Sequence, residues 1–285
     1  MKTLPVTLLA LLLAAGGCVA GGCAAHPSPQ PPSAAFAPDD LVLRVRAYGG
    51  FVPASVAVTE VPQISVYGDG RVISVGAVPA IYPGPALPAL EIRHIGQADV
   101  ARLIQLALDA GVGTATDLGV PNVTDAPRTE FTVLTASGPK STRVEALGIG
   151  ADESFTDAQR AARAKLQDLT IDLTDLPRAL GDRALGEPQP YVPKSLAAVA
   201  IAWAAGNDPV LRDPPPVAWP GPELPGSPLL TGSVNCVTVT GDQVTRVLAA
   251  AKTASARTPW TSAGKSWTVI FRPLLPQESD CSDLI

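Results

Sequence analysis

Proline occupies 30 of the 285 positions and glycine 25, and both are scattered along the whole chain. Each proline removes a backbone donor and each glycine loosens the chain. Short strands joined by many turns are therefore favoured over long regular elements. Hydrophobic residues still make up 46%, enough for a core and too many for wholesale disorder. The length fits one large or two small domains.

Periodicity predicts elements between these breaks. LVLRVRAYGGF (41–51) alternates as a strand. QISVYGDGRVISVG (63–76) reads as two strands around Gly68-Asp69-Gly70, residues that accept positive φ cheaply. EIRHI (91–95) is a short strand, and GQADVARLIQLALDAGV (96–112) a helix with Val100, Leu103, Ile104 and Leu108 on one face and Gly111 at its end. A second hairpin is expected over 128–148, turning at Ser137-Gly138-Pro139. Thr156 and Gln159 form a capping box for a helix with a seam of Leu166, Leu169, Leu173 and Leu176, which Pro177 stops or kinks.

GDRALGEPQP (181–190) has no apolar period and reads as a boundary. Beyond it, 191–205 suits a strand or a short helix, 233–255 a strand followed by a helix, and 265–276 a strand. The order strand–glycine–helix–loop–strand occurs on both sides of the boundary, with V-x-R at the same helical depth; chance similarity of two amphipathic helices gives the same pattern. The expected fold is α+β, with antiparallel sheets each covered by a helix in two loosely similar halves, 40–180 and 181–285.

The N-terminus reads as an address. Lys2 precedes an apolar run from Leu4 to Ala15, followed by small residues, which is the layout of a secretory leader. The run is short for a permanent membrane span. Cys18 and Cys23 each follow two glycines, and this resembles the lipobox of bacterial lipoproteins, where the cysteine is diacylated and becomes the first mature residue. Position favours Cys18; Cys23 is the alternative, since its use leaves an even pair of cysteines. An ordinary leader cleaved after Ala24 or Ala25 gives a free secreted protein instead. Residues 1–23 are thus leader and lipobox, and the proline-rich 24–39 a semi-rigid tether. The expected location is the outer face of the bacterial cytoplasmic membrane, with the lipid membrane as one partner and an envelope protein or glycan as another.

The chemistry-bearing motifs are sparse. His94 is the one histidine of the expected folded part, so a Ser-His-Asp or Cys-His triad would have to be built on it, and no G-x-S-x-G elbow is present. SAGKS (262–266) ends like a phosphate loop but leads into a strand rather than a helix. Asp69 reads as a turn residue, and Asp168, Asp172 and Asp175 as the solvated side of a helix. Trp203, Trp219, Trp260 and Trp267 suit a core or, if exposed, sugar stacking. A formal charge of −5 without a basic patch argues against nucleic acid as a partner. No catalytic residue, metal ligand or cofactor is selected.

Cys236 and Cys281 remain. Outside the cytoplasm they favour a disulfide that pins the tail to the last sheet; two free thiols are the alternative. The runs YGDGRVI…AIYPGPALPAL, TDAP, and TPW…FRPLLP…C resemble a group of actinobacterial-type envelope lipoproteins without an assigned activity. The resemblance implies the secreted address and the Cys236–Cys281 pair, and carries over no catalytic residue. The expected function is a membrane-anchored binding or interaction module; the alternative is a carboxylate-based envelope hydrolase of glycan or peptide. Intact mass of protein purified from membranes should show a chain beginning at Cys18 or Cys23 with added lipid mass. A chain starting at Ala25 or later without lipid would overturn the anchor.

Overall fold

Among the described residues, seven strands build the first sheet and six the second. The computed structural model describes residues 36–149, 154–206, 212–230, 232 and 234–285. The leader, Cys18, Cys23 and the greater part of the tether lie outside the described residues. Helix makes up 24% and strand 30%, in two sheets rich in antiparallel pairing, an α+β fold.

The first sheet takes β1 (Leu41–Gly49), β2 (Ile64–Tyr67), β3 (Arg71–Val75), β4 (Leu90–His94), β5 (Pro127–Thr135), β6 (Gly138–Glu145) and β7 (Gln189–Pro190), in the order β6-β5-β1-β2-β3-β4-β7. Its neighbours are all antiparallel. The β2–β3 hairpin turns at Gly68-Asp69-Gly70 as its residues dictate; Gly70 has φ +87°, and a Cβ there would lie 2.2 Å from the Ile95 carbonyl oxygen. The second hairpin turns one residue earlier than expected, at Ala136-Ser137, because Thr135 pairs with Gly138 across a two-residue loop. Segment 181–190 supplies a 3-10 turn (Asp182–Ala184) and the edge strand β7.

The second sheet takes β8 (Leu196–Ala202), β9 (Val217–Ala218), β10 (Ser227–Pro228), β11 (Asn235–Val239), β12 (Trp260–Ser262) and β13 (Lys265–Pro273), in the order β10-β11-β8-β13-β12-β9. The ambiguous run at 191–205 is a strand: β8 lies between β11 and β13, and Leu196 to Ala200 are buried throughout. Burial on both faces explains why it shows no alternation.

Helices cover one face of each sheet. On the first, α2 (Gln97–Asp109) and α3 (Asp157–Thr174) bury Val100, Leu103, Leu166, Leu169 and Leu173 against Leu43, Val45, Val66, Phe131 and Val133. The Thr156–Gln159 capping box is formed. Pro177 ends α3 by starting a new short helix, α4 (Leu176–Leu180). On the second sheet, α5 (Asp242–Lys252) lays Val244, Val247 and Ala251 on Leu196, Ala198 and Phe271. Both α2 and α5 start at a glycine N-cap, Gly96 and Gly241. The halves are alike locally, but their flanking strands differ in placement: three strands separate β4 from β5, whereas β8 alone separates β11 from β13.

The helix-free faces look toward one another. The β1–β2 connection, with the single turn α1 (Ala54–Ala57), sends Val58 onto the free face of the second sheet. The β3–β4 connection sends Ala86 and Leu87 to the helical side, where Ala86 N donates to Ala254 O at 3.1 Å. Residues Ala34–Ile285 accordingly form one compact unit. No helix among the described residues is long and apolar enough to cross a membrane.

Cys236 of β11 and Cys281 of the terminal 3-10 turn (Cys281–Leu284) are joined in a disulfide, 45 residues apart, with Cα atoms separated by 6.1 Å. Closing a loop of that length in the unfolded chain stabilises the fold by about 4 kcal/mol in the chain-entropy description. Cys281→Ser should lower unfolding stability by about that amount, read by denaturant titration. An unchanged midpoint would show that the tail is held by other contacts.

Candidate functional site

Three surroundings bring polar side chains together, and what those side chains already bond to separates them. The first is the seam between the sheets. Arg272 of β13, 3% exposed, lies within 2.9 Å of Glu278 and donates from Nε to the Glu60 carbonyl at 3.3 Å. Tyr67 Oη donates to Gln277 at 2.6 Å, and Tyr191 Oη to the Leu274 carbonyl at 2.7 Å. Burial, Tyr191 and Glu278 push the Tyr67 phenol far up; burial and Glu278 push Tyr191 up to about 12. Neither phenol is poised as a base at neutral pH. A cavity of about 340 Å³ lies beside Tyr191, Arg71, Lys194 and Glu278, but Arg71 is spent on Asp39 and Asp69 and Glu278 on Arg272. The adjoining hollow by Arg44 and Glu60 measures about 60 Å³, room for roughly two waters.

The second is a clamp on the same face of the first sheet. Glu130, 3% exposed, receives Arg46 and Arg143 at 2.7 Å each and lies 3.5 Å from Arg44. Burial raises its carboxyl, but the hydrogen bonds from Arg143 and Arg46 outweigh burial and hold it below the usual carboxylate range. The three arginines neutralise a buried charge, so they are structural.

The third is a cleft of about 410 Å³ on the helical face of the first sheet. Its origin is a shortage of helix. Seven strands span roughly 29 Å at about 4.8 Å each, while two helices side by side cover about 20 Å. The helices α2 and α3 sit over β1, β2 and β5 and reach Val72 of β3, and farther out only the end of α3 and the short α4 cover β3 and β4. Glu91 and Arg93 of β4 and Ser74 and Val75 of β3, with Gln63, make the floor; Leu173 and Thr174 of α3, Leu176 and Pro177 of α4, and Leu185 make the roof. Glu91 and Arg93 are two residues apart on one strand face, since Leu90 and Ile92 turn to the seam side. Gly76 leaves the room that Glu91 takes: a Cβ there would lie 2.7 Å from Glu91 Cγ.

The polar groups of this cleft are unemployed. Glu91 and Arg93 make no side-chain hydrogen bond or ion pair with any described residue. Gln63 Oε1 is buried without a partner. A carboxylate and a guanidinium without partners in one cleft mark a place that can take a ligand of complementary charge. A half-covered sheet margin with apolar roof and polar floor can hold an amphiphile. Among the residues lining it, Glu91 is the one carboxylate and no Ser-His or Cys-His pair is present.

The residues singled out by sequence lie elsewhere. His94 is exposed at the end of β4, next to the cleft strand but not lining the cleft. Asp69 bonds Arg71, the 262–266 run is a tight hairpin between β12 and β13, and Asp172 pairs with Arg178 at 2.9 Å. Among the described residues no group of His, Cys, Asp and Glu is arranged for a metal. Trp219 and Trp260 are buried with Phe271, ring centroids 5.5 to 6.0 Å apart, while Trp203 and Trp267 are half-buried. Trp203 lines a shallow groove with Tyr82, where Arg257 and Asp213 pair with each other at 2.5 Å. The cleft was missed because Glu91 and Arg93 flank a single apolar residue in a five-residue strand, too short a pattern to show which face is covered. The signal available was a charged residue on each side of Ile92 where a helix-covered sheet calls for valine.

Searches against protein-family models, curated protein sequences and solved structures return no match.

The Glu130 clamp gives a pH prediction. A carboxyl held below its ordinary value of 4.5 contributes stability that is present above that value and is lost as pH falls through the lower, folded one. Acid unfolding of the wild type should therefore steepen below about pH 4.5, and Glu130→Gln should flatten that limb. The arginines are partly exposed, so the neutral-pH cost of Glu130→Gln should fall short of the roughly 3–5 kcal/mol for a fully buried pair. Equal acid limbs in the two proteins would refute the clamp.

Proposed function

We propose that this chain is an envelope lipoprotein whose folded domain binds a small ligand and does not transform it. The apolar leader, Cys18 or Cys23 and the proline-rich tether support the anchored address. The Cys236–Cys281 bond is compatible with an envelope or secreted location. The observation that carries the binding reading is the cleft over β3 and β4, where Glu91 and Arg93 are unpaired beneath Leu173, Leu176 and Leu185.

The hydrolase alternative gains no support there. Glycoside hydrolysis takes two carboxyl groups across the scissile bond, and the cleft offers Glu91 alone. Peptide hydrolysis needs an activated nucleophile or a metal-bound water, and the one hydroxyl on the cleft floor, Ser74, makes no hydrogen bond to Glu91 that would activate it.

The test is a methyl-resolved NMR titration of the mature protein with small amphiphiles. Saturable shifts at Leu173, Leu176 and Leu185, with the compound recovered unchanged, are the expected result. Ser74→Trp, which fills the cleft from its partly exposed floor, should abolish those shifts while leaving the remaining spectrum intact. Conversion of the compound, or no saturable shift at these methyls, would overturn the reading.

A further inference from the structure

We infer that the cleft over β3 and β4 recognises a small peptide-like zwitterion, of about dipeptide length with an apolar side chain, held at both ends. The inference rests on the binding reading above and names the ligand class. Its basis is charge complementarity within one cavity. Glu91 and Arg93 stand on one face of β4 roughly 6.5 Å apart along the strand. They carry opposite charges yet make no ion pair with each other or with any other described residue.

A group of one sign alone would leave the other half-buried charge unpaired, which is costly. A ligand carrying an ammonium and a carboxylate satisfies both. The spacing fits: two extended residues reach at most about 7 Å. Arg93 offers the planar fork that matches a carboxylate. The roof of Leu173, Leu176 and Pro177 is apolar and the Thr174 hydroxyl beside it is spent on the Thr170 carbonyl at 2.8 Å, so the ligand's body there is apolar. Gly76 acts as a positioning residue, because any side chain at 76 displaces Glu91.

The experiment compares alanyl-leucine, its N-acetyl derivative and its C-terminal amide on the full mature protein by calorimetric titration, with the leucine methyls followed by NMR. Blocking either end should weaken binding to the wild type by roughly tenfold to a hundredfold, the worth of one charge-assisted contact. In Glu91→Gln the penalty for N-acetylation should vanish while that for amidation persists. In Arg93→Gln the pattern should reverse. The ligand-side comparison needs no variant to fold. Dipeptide binding indifferent to both blocking groups overturns recognition at the two ends. Saturable shifts from a neutral or anionic amphiphile, with none from the dipeptide, overturn the zwitterion and leave the binding reading standing. No saturable shift from any compound overturns both.

Discussion

Arg272 holds the two sheets in register. It is a cation almost fully withdrawn from water, so it must be matched within the protein or the fold does not form. Its partners come from both sides of the seam: the Glu60 carbonyl, at the end of the β1–β2 connection, and Glu278, in the tail. Glu278 in turn accepts from Leu275 N at 2.8 Å, which fixes the tail segment where Leu275 meets Tyr67, Ile73 and Leu90. Two apolar cores, one under α2 and α3 and one under α5, are thus joined across a seam where this polar network lies between two smaller apolar clusters, around Leu274 and around Leu275. A polar layer sets relative placement more strictly than an apolar one, because a shifted ion pair leaves a buried charge whereas a shifted leucine still finds carbon.

The disulfide and the seam are parts of one device. Cys281 follows the segment that supplies Gln277 and Glu278, so the Cys236–Cys281 bond ties the segment carrying those groups to the sheet beside Tyr67 and Arg272. Sequestering the charged groups here also leaves the cleft on the opposite face of the first sheet free of competing arginines. The cleft's openness has a plain cause: β3 and β4 extend past the width that two helices roof, and the substitution of Ser74, Glu91 and Arg93 for apolar residues there makes that margin stable in contact with a polar ligand or with water.

Several particular elements were legible in the chain. The β2–β3 turn followed from Gly68-Asp69-Gly70, α3 from Thr156 and Gln159, and the end of α3 from Pro177, because turns, caps and proline stops are decided by residues within a few positions. The β8 assignment was ambiguous, since LAAVAIA is buried on both faces and loses the alternation that marks a strand. The Glu130 clamp joins residues 84 positions apart, Arg46 and Glu130, and no local pattern announces it.

By itself the sequence determined the types of the longer elements other than β8, and the α+β class, because each rests on local backbone preference and apolar period. Linear order is also the ground for expecting a leader, two candidate lipidation cysteines and a tether. Only the tertiary structure decided that Glu91, Arg93 and Gln63 share a cleft, and that Arg272 and Glu278 are buried between the sheets. Those facts depend on which strands neighbour which and on how far two helices reach across seven strands. Such distances are set by packing in space and leave no trace in the spacing of residues along the chain.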